Sequence, residues 1–219
     1  MQTEIRHRPA FATIFVELTG GDRITAESDA MATMSTNIGI DTRMAGGFFT
    51  ALKRKFLGKE SMFVNEFYLE SGDKGEVVFT QNTPGDIVSV ELKGGSLCLE
   101  RGAYIASHGN IAIATRWAGF RSFINGEGLF KLVVSGTGTV WFGSYGGIVE
   151  KEVSGEYIVD SNHLVAYSSR LKFKLQLAGG FFSSIFSGEG LVTRLEGKGK
   201  IYMQTRSLSG LASWLNPRL

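Results

Sequence analysis

Gly136-Thr-Gly-Thr-Val-Trp-Phe142 decides the fold, because the chain carries it in three versions. The earlier version reads Gly72-Asp-Lys-Gly-Glu-Val-Val-Phe79 and the later one Gly197-Lys-Gly-Lys-Ile-Tyr-Met203. Each is read as a glycine-paced turn leading into an apolar strand, since glycine reaches positive φ at no steric cost. Working outward, three further landmarks keep the same order. Val16-Glu-Leu-Thr-Gly-Gly21 returns as Val90-Glu-Leu-Lys-Gly-Gly95 and, weakly, as Val153-Ser-Gly155. Thr42-Arg-Met-Ala-Gly-Gly-Phe-Phe49 returns as Thr115-Arg-Trp-Ala-Gly-Phe120 and as Gln176-Leu-Ala-Gly-Gly-Phe-Phe182. Lys59-Glu-Ser-Met-Phe63 returns as Gly126-Glu-Gly-Leu-Phe130 and Gly188-Glu-Gly-Leu-Val192. Glu60 to Glu127 is 67 residues and Glu127 to Glu189 is 62, while Gly75 to Gly138 is 63 and Gly138 to Gly199 is 61. A period this long exceeds that of the common helical solenoids, so each unit is a small sheet.

Inside the units the alternation is β-like. In Leu171-Lys-Phe-Lys-Leu-Gln-Leu177 the apolar residues share one face and Lys172, Lys174 and Gln176 the other, as in a strand with one wet side. Ile111–Trp117 alternates likewise, and Leu129–Val134 and Glu76–Phe79 read as further strands. Two stretches break the pattern. Phe48 to Leu57 places Phe48, Phe49, Leu52 and Phe56 on one helical face, with Lys53, Arg54 and Lys55 mostly on the other. Leu208, Leu211, Trp214 and Leu215 have helical spacing ahead of Pro217. The expectation is an all-β protein with short helical turns. It is one domain over residues 1–219, built of three repeats at about 1–85, 86–150 and 151–219.

Bulk properties narrow the function classes. The 219 residues carry 23 Lys+Arg against 21 Asp+Glu, a balance that does not ask for a nucleic-acid partner. One cysteine, Cys98, excludes an intrachain disulfide, and its place in Leu97-Cys98-Leu99 predicts burial. The start, Met1-Gln-Thr-Glu-Ile-Arg-His7, has no apolar run behind its charges and is not a secretory signal. No stretch reaches 18 consecutive apolar residues. A cytoplasmic protein is expected, with peripheral attachment at a membrane kept open.

The Gly-Gly-Phe-Phe segment, the basic amphipathic stretch, Gly58-Lys-Glu-Ser-Met-Phe63 and Thr205-Arg-Ser-Leu-Ser-Gly-Leu-Ala212 resemble the altered-inheritance-of-mitochondria family. The resemblance covers nearly the whole chain. It implies a compact double-stranded β-helix or β-sandwich unit repeated three times, similar to the units of the tryptophan RNA-binding attenuation protein. It also implies a homotrimer, a ring of nine units. Eukaryotic members are tied to mitochondrial biogenesis, bacterial and archaeal members have no assigned role, and this chain reads as one of the latter.

Candidate sites are few. Glu60, Glu127 and Glu189 recur by repeat symmetry but have no acidic neighbours to complete a hard-cation site, so each reads as a turn carboxylate. His7, His108 and His163 occupy unmatched positions without zinc-like spacing. Ser135–Thr139 lacks the lysine and following helix of a phosphate loop and reads as a hairpin. No nucleophile–base constellation appears, so neither an enzyme nor a cofactor is expected. The recurring aromatics are the remaining feature: Phe48, Phe49 and Phe56 beside Lys53, Arg54 and Lys55, then Phe120 and Phe123, then Phe181 and Phe182. They either cap the core of their own unit or form an interaction surface for another subunit, a membrane or a protein partner. The cationic run does not recur in register, which speaks against a base-reading ring. The expected role is therefore a non-enzymatic oligomeric scaffold or interaction protein, with an RNA- or small-ligand-binding ring as the alternative.

Overall fold

Apolar–polar alternation makes a strand wherever one face can be buried, and it does so along most of this chain. The computed structural model describes residues 1–45, 63–100, 102–117, 130–177 and 191–216. Strands β1 (Gln2–Arg6), β2 (Thr13–Thr19), β4 (Met31–Met34) and β7 (Lys74–Phe79) form an antiparallel sheet in the order β1-β2-β7-β4. The larger sheet holds β3 (Arg23–Glu27), β5 (Ile38–Met44), β6 (Phe63–Leu69), β8 (Ile87–Leu99), β9 (Tyr104–Trp117), β10 (Phe130–Gly143), β11 (Ile148–Asp160), β12 (Leu164–Ser168) and β14 (Leu191–Gln204). Its order is β11-β14-β12-β8-β10-β9-β3-β6-β5, with β13 (Lys172–Leu177) added on β14. The protein is predominantly β, as expected. The helix expected near the C-terminus is α1 (Leu208–Leu215), whose first turn is closed by the Ser207 hydroxyl accepting from the Gly210 N–H at 3.1 Å.

The landmark residues pair in a consistent way. Leu18 lies opposite Gly75, Leu92 opposite Gly138 and Val153 opposite Gly199, and all three apolar residues are buried. The second and third landmarks flank three antiparallel hairpins, β5–β6, β9–β10 and β13–β14. Their last pairs are Met44–Phe63, Trp117–Phe130 and Leu177–Leu191.

One expectation is corrected. The Gly-x-Gly segments of the second and third copies, including Ser135–Thr139, are not hairpin turns. Strands β10 and β14 run through them without a break. Gly136 (φ 130°), Gly138 (φ 149°) and Gly197 (φ 125°) let each strand change direction, and the register against β8 shifts between Gly136 and Thr137. A Cβ on Gly138 would lie 2.1 Å from the His108 carbonyl oxygen, so the partner strand occupies the space of a side chain. Only in the first copy does the chain break, between Leu69 and Lys74.

Burial gathers into three apolar clusters. Ile14, Val16, Leu18, Phe67 and Phe79 form one, which takes Ile87, Ile105 and Trp141 from further along the chain. Val88, Leu92, Val134, Val140 and Phe142 form the second with Val165 and Tyr202. Val153, Val159, Leu195 and Ile201 form the third with Cys98 and Val133. Cys98 is buried, as its apolar neighbours predicted. Rings pack edge to face within these clusters, Phe67 on Phe79 and Phe142 on Tyr202, each with centroids 5.1 Å apart.

Candidate functional site

Three turns converge on one cavity. The chain leaves β3 through Glu27–Ala30, and the Ala30 N–H donates to the Glu27 carbonyl at 3.2 Å. It leaves β8 through Glu100–Ala103 with the same bond, Ala103 N–H to Glu100 carbonyl, also 3.2 Å. It leaves β11 through a short 3₁₀ turn at Ser161–His163, closed by the Leu164 N–H on the Ser161 carbonyl. The Asp160 carboxylate accepts from the Asn162 N–H at 2.9 Å and holds this third turn. The ends of β7, β10 and β14 run beside the turns. The Thr80 N–H donates to Ala30 and the Gly143 N–H to Ala103, each at 2.8 Å.

The cavity has a volume of about 700 Å³. Carboxylates of Glu27, Asp29 and Glu100, amides of Gln81, Asn82, Asn162 and Gln204, and the apolar Ile105, Leu164 and Val165 line it. Its walls are cross-linked by the amides. Gln81 Nε2 donates to the Ser144 carbonyl at 2.9 Å. Gln204 Oε1 accepts from the Tyr145 N–H at 2.9 Å while its Nε2 donates to the Asn162 carbonyl at 2.8 Å. Ser144 Oγ donates to the Gly146 carbonyl at 2.7 Å, so it is tied to backbone rather than poised as a nucleophile. Behind the wall Asp86 is buried and held by Arg8 through two bonds of 2.7 and 2.8 Å, with the Ile87 N–H adding a third at 2.8 Å. Glu100 is also reached from behind. Lys131 Nζ lies 3.2 Å from its carboxylate and 3.5 Å from the centre of the Phe173 ring.

Three buried tyrosine hydroxyls resist ionisation. Burial pushes Tyr104 and Tyr167 well above the usual phenol range. Burial, with the Glu150 and Glu152 carboxylates, pushes Tyr202 up to about 12. Among the described residues no group of three His, Cys, Asp or Glu could hold a metal ion.

The expected site residues fare unevenly. Phe48, Phe49, Lys53, Arg54, Lys55, Phe56, Phe120, Phe123, Phe181 and Phe182 lie outside the described residues, as do Glu60, Glu127 and Glu189. Their segments connect the outer ends of the three hairpins, and β10 and β14 begin there and finish at the cavity, at Gly143 and Gln204. The histidines are apart: His108 Nδ1 meets the Arg23 carbonyl at 2.9 Å and His163 Nδ1 the Gln204 carbonyl at 2.7 Å. A carbonyl only accepts, so in each contact the donor is the Nδ1–H. Sequence reasoning missed the turn residues Glu27 and Glu100 and the cation Lys131. A signal was present, because Ala26-Glu-Ser-Asp-Ala30 and Leu99-Glu-Arg-Gly-Ala103 each follow an apolar strand with Glu-x-x-Ala, 73 residues apart.

Three comparisons show what the chain is similar to. Residues 3–206 match a family described as "Mitochondrial biogenesis AIM24". An uncharacterised protein of Streptococcus pyogenes serotype M6 is 29% identical over 224 residues, covering 98% of this chain and 90% of that protein. A crystal structure of a Streptococcus pyogenes protein superposes with a TM-score of 0.81 at 29% identity, covering 100% of this chain and 99% of that one.

Proposed function

This chain belongs to the mitochondrial biogenesis AIM24 family, and from that premise we propose that it is a non-enzymatic oligomeric scaffold built from three equivalent units. The observation that carries the reading is the common register of the landmark pairs Leu18–Gly75, Leu92–Gly138 and Val153–Gly199. Beside these pairings stand three antiparallel hairpins, β5–β6, β9–β10 and β13–β14, and the sequence joining the strands of each is rich in aromatic residues. Three similar contacts on one chain act together, because the second and third engage at high effective concentration. A protein of this design holds partners or a surface rather than turning over a substrate. The double-stranded β-helix description of the unit and a homotrimeric assembly belong to the same proposal, as does peripheral attachment to a membrane through Phe48 and Phe49.

Light scattering together with flotation on anionic vesicles tests it. A mass of several chains, with flotation lost in a folded Phe48→Ser/Phe49→Ser variant, supports the scaffold at a membrane. Assembly without flotation moves the aromatic connections to subunit contacts. A mass of one chain contradicts the proposal. A second reading, a small-ligand binder, is favoured by the cavity alone, whose volume of about 700 Å³ lies in the ordinary range of ligand sites.

A further inference from the structure

Strands from successive units meet at two junctions, and the two are the same contact. At the first, β3 meets β9 with Thr25 opposite Ser107 and Ala26 opposite Ala106. At the second, β8 meets β12 with Cys98 opposite Tyr167 and Leu99 opposite Ala166. Thr25 and Cys98 each stand two residues before the glutamate that opens their turn. Ser107 and Tyr167 each follow a one-residue register shift against the neighbouring strand, just after Tyr104–Phe142 and Leu164–Met203. β4 has that shift too, between Met31 and Thr33, which makes Met34 the counterpart of Ser107 and Tyr167. On the other side Ile158 stands two residues before Asp160, as Thr25 stands before Glu27. A third junction of this kind therefore pairs Met34 with Ile158 and Thr33 with Val159.

Within one chain that junction is open. Among the described residues β4 pairs only with β7, and β11 only with β14. Ser107 and Tyr167 are 4% and 7% exposed, whereas Met34 is 39% and Ile158 50% exposed. Two strands thus present unpaired backbone and apolar side chains, the condition in which a strand recruits another chain.

We propose that β4 of one copy pairs with β11 of a second copy in the register Met34–Ile158 and Thr33–Val159. The inference rests on the oligomeric reading above and names the contact that makes it. The chemistry of the two edges favours this pairing over like with like. An antiparallel β11–β11 pair centred on Ile158 would set Glu156 opposite Asp160, two carboxylates facing each other. β4, Met31-Ala-Thr-Met34, carries no charge and accepts the acidic edge without repulsion. Each copy has one edge of each kind, so the contact is head to tail and closes as a ring when its rotation divides a full turn.

Cysteine cross-linking of the full chain in a Cys98→Ala background reads this contact directly, since opposed residues of antiparallel strands lie within disulfide reach. Chains carrying Met34→Cys and chains carrying Ile158→Cys are mixed and oxidised. The expected product is a two-chain disulfide formed in the mixture and in neither variant alone. An intrachain disulfide in the double variant with none in the mixture would overturn the inference, placing the closure inside one molecule. Cross-linking of either variant with itself, or no cross-linking at all, overturns it as well. Light scattering on Met34→Lys separates this from the broader reading: a fall to the 23.8 kDa of one chain supports the seam, and an unchanged oligomer places assembly elsewhere. A single-chain mass for the native protein overturns both.

Discussion

Two residues show how little room this fold leaves at its crossings. Gly138 sits at φ 149° with the His108 carbonyl oxygen 2.1 Å from where its Cβ would be. Gly138→Ala is predicted to lower unfolding free energy by more than about 1 kcal/mol, read as a reduced denaturation midpoint. Gly94→Ala tests the converse. Its φ is 75° but nothing lies within 4 Å, so only backbone strain applies and the loss is smaller. Asp22 sets the acid response. The Met1 ammonium, 2.6 Å away, and then the Thr19 hydroxyl and N–H hold its carboxyl down from 3.8 to about 2. A depressed carboxyl stabilises the fold above its unfolded value and loses that contribution as pH falls. Asp22→Asn should therefore flatten the stability–pH curve between about pH 4 and pH 2 and leave its neutral limb sloping as before. The tyrosines act at the other end. Tyr104, Tyr167 and Tyr202 keep their protons in the folded chain above the ordinary phenol value of 10.0. Unfolding releases them, so stability falls as pH rises past about 10, and Tyr202→Phe makes that fall shallower in alkaline denaturation.

At the scale of elements, Lys131 ties β10 to its neighbours. Its ammonium lies between Glu100 at the end of β8, 3.2 Å away, and the Phe173 ring of β13. Lys131→Ala removes one partner from a largely buried pair and is predicted to cost about 2 kcal/mol. That is below the roughly 3–5 of a fully buried pair, because Glu100 keeps some contact with water. Lys131→Met combined with Glu100→Gln should recover most of the loss in chemical denaturation, since a packed thioether and a neutral amide replace the two charges. The sequence made the strands legible wherever one face is wet, as in Lys172–Leu177. It misread the glycine pairs, because a glycine that bends a continuous strand and one that reverses the chain look alike until the partner strand is known. The cavity was not legible for a related reason. Glu27 and Glu100 look like ordinary surface acids in sequence, and only the meeting of three turns makes them lining residues. Nothing in the sequence singled out Lys131 within the strand read at Leu129–Val134. The β13 hairpin covers it with Phe173, a long-range contact that local periodicity does not contain.

At the scale of the whole molecule, three clusters of apolar side chains stand in series along the chain, each borrowing residues from another stretch. Strand pairing joins them at Thr25–Ser107 and at Cys98–Tyr167. The third join, Met34 with Ile158, needs a second copy. Backbone amide hydrogen exchange on the intact chain tests this most directly, because it reads all three junctions at once. Slow exchange is expected at β9 and β12 at every protein concentration. At β4 and the end of β11 protection is expected to rise with concentration as copies join. Fast exchange at β4 that does not change with concentration, while the protein remains assembled, would contradict it.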